Sequence, residues 1–103
     1  MDATLLRSIC DFQKQGQKIV LVTIVETKGS TPRKAGSQML VQPDGVVQGT
    51  IGGGCAEAEA KQQALFALQI GKSQLYTIEM LNAVAADEGM VCGGTMTLFI
   101  QLL

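Results

Sequence analysis

The seven residues IVLVTIV, positions 19–25, do most to limit what this chain can fold into. An apolar, mostly β-branched run without alternation favours extended backbone and leaves no polar edge for water. Such a strand must be covered on both faces, so the rest of the chain has to wrap apolar elements around it. Its 103 residues suit one compact domain with one core. With 47% hydrophobic and 17% charged residues, the composition is globular rather than disordered.

Other segments supply the cover. Residues 2–15 read as a helix with Leu5, Ile9 and Phe12 at i, i+4, i+7, Leu6 beside them, and Gly16 as a stop. Cys10 lies on the edge of that stripe and reads as an ordinary packing residue. QMLVQ (38–42) and VVQGT (46–50) flank PDG, a turn sequence, and predict a hairpin. Residues 56–70 read as a second helix, ended by Gly71. Its stripe of Ala60, Ala64, Ala67 and Leu68 lets it sit close to a sheet, and Glu57 and Lys61 are spaced to pair on its exposed side. QLYTIEML (74–81) reads as a strand and residues 82–94 as a loop. TMTLFIQL (95–102) alternates, with Met96, Leu98, Ile100 and Leu102 on one face. The order implies one α/β domain over residues 1–103: a mixed β-sheet with two main helices packed on it.

Several function classes are disfavoured. Eight basic and nine acidic residues give a net charge of −1, which supports no bulk nucleic-acid or membrane-surface binding. One tyrosine, three phenylalanines and no tryptophan make a base-stacking platform a poor fit. There is no apolar run of the ~18 residues a membrane helix needs and no signal-peptide pattern, so the chain reads as cytoplasmic. Three cysteines without C-x-x-C spacing fit a reducing compartment rather than a disulfide framework. Histidine is absent, which excludes histidine-based nucleophilic catalysis within the chain and removes the commonest transition-metal ligand.

Chemistry is concentrated in three glycine-bearing loops. KGSTPRKAG, residues 28–36, carries Lys28, Arg33 and Lys34 with the hydroxyls of Ser30 and Thr31, and Ser37 follows; this suits an oxyanion, or equally a solvated loop. TIGGGCAE, residues 50–57, runs glycines into a helix start. There, backbone amides and the helix dipole favour an anion, with the Cys55 thiol beside them; the competing reading is glycine for close packing. The spacing is neither a dinucleotide-binding fingerprint nor a P-loop. EGMVCGG, residues 88–94, places Cys92 among glycines, either as a site loop or as a tight turn with a small buried thiol. The acidic Glu57, Asp87 and Glu88 lie in or beside these loops, suited to orienting a ligand or capping a helix.

Taken together, GSTPRKAGSQMLVQPDGVVQGTIGGGCAEAE and EGMVCGG resemble the N-terminal domain of the XdhC/CoxI family, accessory factors of molybdenum hydroxylases. The likeness runs from about residue 20 to residue 102, with three blocks in family order. The resemblance implies a maturation chaperone rather than a turnover enzyme, one that binds molybdenum cofactor transiently and delivers it to apo xanthine or carbon monoxide dehydrogenase. Carried over, the cofactor-binding positions are Ser30, Thr31, Pro32, Arg33 and Lys34, then Gly52, Gly53, Gly54, Cys55 and Glu57, then Met90, Cys92, Gly93 and Gly94. Arg33 and Lys34 are assigned to the ligand's anion, Cys55 and Cys92 to its molybdenum or sulfur end. Family members usually continue into a Rossmann-type domain, and a separate subunit that carries such a domain is one expected partner. The other expected partners are a second copy in a homodimer and a cysteine desulfurase. Two alternatives stand beside this reading: a sulfur-transfer component using Cys55, and a structural or regulatory subunit that binds no cofactor.

Overall fold

The structure, a computed structural model, describes residues 2–80 and 93–103. Helix α1 (Ala3–Lys14) starts at Asp2, whose carboxylate accepts the Thr4 amide at 2.8 Å and so satisfies a donor the helix itself cannot. Strands β1 (Val20–Lys28), β2 (Gln38–Val41) and β3 (Val47–Gly49) follow, then helix α2 (Gly54–Ile70), β4 (Gln74–Glu79) and β5 (Thr95–Leu102). The hairpin between β2 and β3 forms at the expected turn, where the Gly45 amide donates to the Gln42 carbonyl at 2.9 Å.

The five strands lie in the order β3-β2-β1-β5-β4, and every neighbouring pair is antiparallel. The α/β class holds, but the expected mixed sheet does not. Parallel neighbours arise when a helical crossover returns the chain beside the strand it left. Here α2 carries the chain from β3 at one edge to β4 at the other, so the strands it joins never pair.

β1 is covered on both faces at its centre, as its composition requires. Val20, Val22 and Ile24 face α2, together with Met39, Met96, Leu98 and Ile100, and all are fully buried. α2 meets them with Ala56, Ala60, Ala64 and Ala67, while Leu68 is partly buried against the same cluster. On the opposite face, Ile19, Leu21 and Leu40 pack under Leu5 and Ile9 of α1, with Phe12 and Leu103 at the margin. β1 outruns its apolar run because β5 continues to pair with it as far as Lys28 opposite Thr95.

Cys10 and Leu6 depart from the sequence reading: Cys10 is exposed and Leu6 is 51% exposed. α1 touches the sheet only along the 5–9–12 line, and a residue one step further is rotated by about 100° towards water. Cys10 is therefore not a packing residue.

Candidate functional site

The glycine turn is built from the end of β3 to the first turn of α2. Gly52, Gly53 and Gly54 have φ of +128°, +74° and +61°, a left-handed run that L side chains rarely adopt. This is why the sequence spends three successive glycines there. Glu57 then closes the turn from within. Its Oε1 accepts from Thr50 Oγ1 at 2.6 Å and from the amides of Ile51 and Gly53, both at 3.3 Å. The Gly52 amide goes to Thr50 Oγ1 at 3.0 Å. Glu57 thus serves the turn that leads into α2 rather than the helix's own first amides, and its expected pairing with Lys61 is not made: Glu57 points back into the turn, and the Lys61 side chain lies over Gly45 of the hairpin. The ion pair present among the described residues is Lys28–Glu26 at 3.6 Å, both side chains well exposed, and such pairs contribute little.

The first and second loops touch. A Cβ on Gly52 would fall 2.6 Å from Pro32 Cγ, so only glycine lets the proline ring rest on the turn. The first loop also meets the end of the third. Gly94 is buried, and a Cβ there would collide with the carbonyl oxygens of Lys28 and Ser30. Gly94 also accepts the Met80 amide at 2.9 Å, tying β4's end to the same spot. The first two blocks and Gly94, the last residue of the third and as much as 65 residues away in sequence, therefore converge at one end of the sheet, and packing and site-building readings of the glycines are compatible.

The predicted positions fall unevenly around this junction. Ser30, Arg33 and Lys34 are exposed, Thr31 and Pro32 half-buried, and the Thr31 hydroxyl donates to the Arg33 carbonyl at 2.9 Å. Cys55 is exposed in the first turn of α2 and Gly93 is exposed beside Gly94. Met90, Cys92, Asp87 and Glu88 lie outside the described residues, and with them the expected pairing of Cys55 and Cys92.

An open cleft of about 350 Å³ adjoins the junction, lined by Arg33, Gly36, Ser37, Gln38, Gly49 and Thr50 with Asp2 and Leu5 of α1. Lys34 is not among its walls. Sequence reasoning named Arg33 here but missed Gln38, which opens strand β2, and Thr50, which follows β3 at the head of the glycine turn. A larger cleft, about 540 Å³, lies between Phe12, Lys18, the hairpin turn and Leu68, and contains none of the loop residues.

An α/β domain with a five-stranded antiparallel sheet and a glycine-turn junction at one end defines the class of protein. Comparison with known proteins gives the family: the XdhC and CoxI family is matched over residues 12–79, and the chain belongs to it. The Escherichia coli protein YqeB is 40% identical over 91 residues, covering 88% of this chain and 17% of its own. The molybdenum cofactor insertion chaperone PaoD of Escherichia coli is 35% identical over 103 residues, 97% of this chain and 31% of PaoD. Among solved structures, a xanthine dehydrogenase of Bacillus halodurans superposes with a TM-score of 0.76 at 26% identity, covering 93% of this chain and 29% of that one. The chain thus spans less than a third of the length of these relatives. Among the described residues, no helix is long and apolar enough to cross a membrane.

Proposed function

We propose that this domain is a molybdenum cofactor-binding chaperone that serves the maturation of a molybdenum hydroxylase. The observation that carries the reading is the convergence of the first two loop blocks and the end of the third, through Gly52 on Pro32 and Gly94 on the Lys28 and Ser30 carbonyls. Likeness to a cofactor insertion chaperone over 97% of the chain agrees with it. The donor set at the junction fits such a ligand. Arg33 and the hydroxyl of Ser37 offer polar contacts beside an open cleft, and Cys55 offers a soft sulfur ligand on the adjoining turn. When bound, the cofactor would bring an oxo-molybdenum dithiolene centre. The chain's own residues would hold it, shield it from water and release it to the apo-enzyme.

A second reading, a sulfur carrier, draws on the exposure of Cys55 beside the turn. Reconstitution of an apo molybdenum hydroxylase separates them. The chaperone reading predicts that adding the protein with cofactor raises the active fraction, that Gly94→Ala abolishes the gain, and that Cys55→Ser retains part of it. Complete loss in Cys55→Ser, together with a sulfur adduct on Cys55 in the mass spectrum of protein treated with a sulfur donor, would favour the carrier. No gain over cofactor alone would contradict the chaperone.

A further inference from the structure

We propose that the cleft between the first loop and the start of α1 is a phosphate site, taking a phosphate monoester on Arg33 and Ser37, and that the glycine turn is not. This deepens the cofactor reading, on which the identity of the complete ligand rests.

The case begins with the turn. A glycine-rich entry to a helix ordinarily presents its amides to an anion. Here the amides of Ile51 and Gly53 end on Glu57 and that of Gly52 on Thr50. The Glu57 carboxylate is itself the anion of the turn, placed by the sequence rather than by a ligand. A second anion brought there would lose those donors and meet a like charge.

The Arg33 cleft has the opposite character. Its volume, about 350 Å³, falls at the lower end of small-molecule pockets, which span about 300–1,000 Å³. The Arg33 guanidinium supplies a planar fork of donors matched to phosphate, and the Ser37 hydroxyl a further one. The other polar side chains are partly committed: Gln38 Nε2 donates to Thr23 Oγ1 at 3.1 Å and Thr50 Oγ1 donates to Glu57. Asp2 is a like charge in this cleft too, with its Oδ1 engaged by the Thr4 amide, but here, unlike at the turn, a cation, Arg33, lines the same cleft and offsets it. The backbone carrying Arg33 is also held. Gly36 donates to the Ile24 carbonyl at 2.8 Å, Ile24 to the Ser37 carbonyl at 2.9 Å, and Pro32 rests on Gly52. An arginine on an anchored loop loses less freedom on binding than one on a loose loop.

The test is a titration of isotope-labelled protein with inorganic phosphate and with phenyl phosphate, followed by amide chemical shifts. The expected result is saturable shifts at residues 33, 36–38, 49 and 50. Arg33→Ala should weaken binding by about tenfold or more, the factor one charge-assisted contact gives, with the spectrum otherwise that of a folded protein. Lys18→Ala, which removes a cation lining the other cleft, should leave phosphate affinity within about twofold. Shifts centred on residues 52–55, or equal binding by Arg33→Ala, would overturn the proposal. A parallel titration with molybdenum cofactor separates the two readings. Cofactor bound equally by the native protein and Arg33→Ala overturns the phosphate site alone. Phosphate bound as described with no cofactor uptake supports the site and sinks the cofactor reading.

Discussion

Removing the Glu57 carboxylate should cost more than the loss of an ordinary half-exposed glutamate. In Glu57→Ala the hydroxyl of Thr50 and the amides of Ile51 and Gly53 lose one shared acceptor. The 2.6 Å contact is a charge-assisted bond, worth about 1.5–3 kcal/mol, and the two amide bonds at 3.3 Å are longer and contribute less. A negative charge in the first turn of α2 contributes about 0.3–1 kcal/mol through the helix dipole. Because the carboxylate is only half-buried, water recovers part of the loss, and the net is about 2–3 kcal/mol. For a domain of this size that lowers the melting temperature by roughly 10–20 °C. Glu57→Gln keeps an acceptor in place and should cost about 1 kcal/mol. Urea unfolding of both variants with a Thr50→Ala, Glu57→Ala cycle measures the terms, and the cycle should show about 1 kcal/mol of coupling. A loss below about 0.5 kcal/mol in Glu57→Ala would put it among ordinary surface substitutions and refute the idea that this side chain closes the turn.

Three further outcomes follow from the packing and the charges. Gly94→Ala forces a methyl against two backbone carbonyls and should destabilise by about 1–3 kcal/mol, while Gly93→Ala, with open space at its Cβ, should change stability by less than about 0.5 kcal/mol in the same assay. Ala64→Leu inserts a bulky chain where α2 lies on the sheet and should cost about 1–3 kcal/mol by thermal unfolding, with an unchanged fold by circular dichroism. Tyr76 is the chain's one tyrosine, so phenolate absorbance reports on it alone. Its hydroxyl donates to Glu59 Oε2 at 2.7 Å, and that bond, with lesser help from burial and the charge of Glu59, raises its pKa above 10.0. The folded chain holds this proton more tightly than the unfolded one. The pair's stabilisation is therefore complete below pH 10 and lost as pH rises through the folded value. Alkaline titration should give a midpoint above 10.0 that falls in Glu59→Gln; a native midpoint at or below 10.0 would contradict the contact.

Local pattern reached most of the fold. IVLVTIV announced its double cover as far as Ile24, although Val25 at its end is exposed, the alanine line of α2 its close approach, and PDG its turn, because each is decided within a few residues. What local pattern could not reach was the strand order. Antiparallel neighbours throughout depend on α2 crossing from edge to edge, a long-range choice with no trace in any one segment. Cys10 was misread because an apolar stripe gives the direction of burial but not its width. At the site, the glycine triple was legible as a helix entry made for close packing or for an anion, and the family blocks as a unit, while the left-handed run itself emerged only from the backbone. Glu57 was legible only as a charge near a helix start: whether it faced Lys61, a ligand or the turn depended on Thr50 being within reach. Gln38 entered the cleft wall from β2, where strand register, not motif, decides what lines a cavity, and Thr50 from the head of the glycine turn just past β3.

The central claim is that this domain carries molybdenum cofactor, and co-purification tests it most directly. Protein isolated from cells that make the cofactor should yield oxidised pterin fluorescence and molybdenum in matching amounts. Both should be strongly reduced in Gly94→Ala and in Arg33→Ala that retains its fold. Folded native protein carrying neither pterin nor molybdenum would contradict the account.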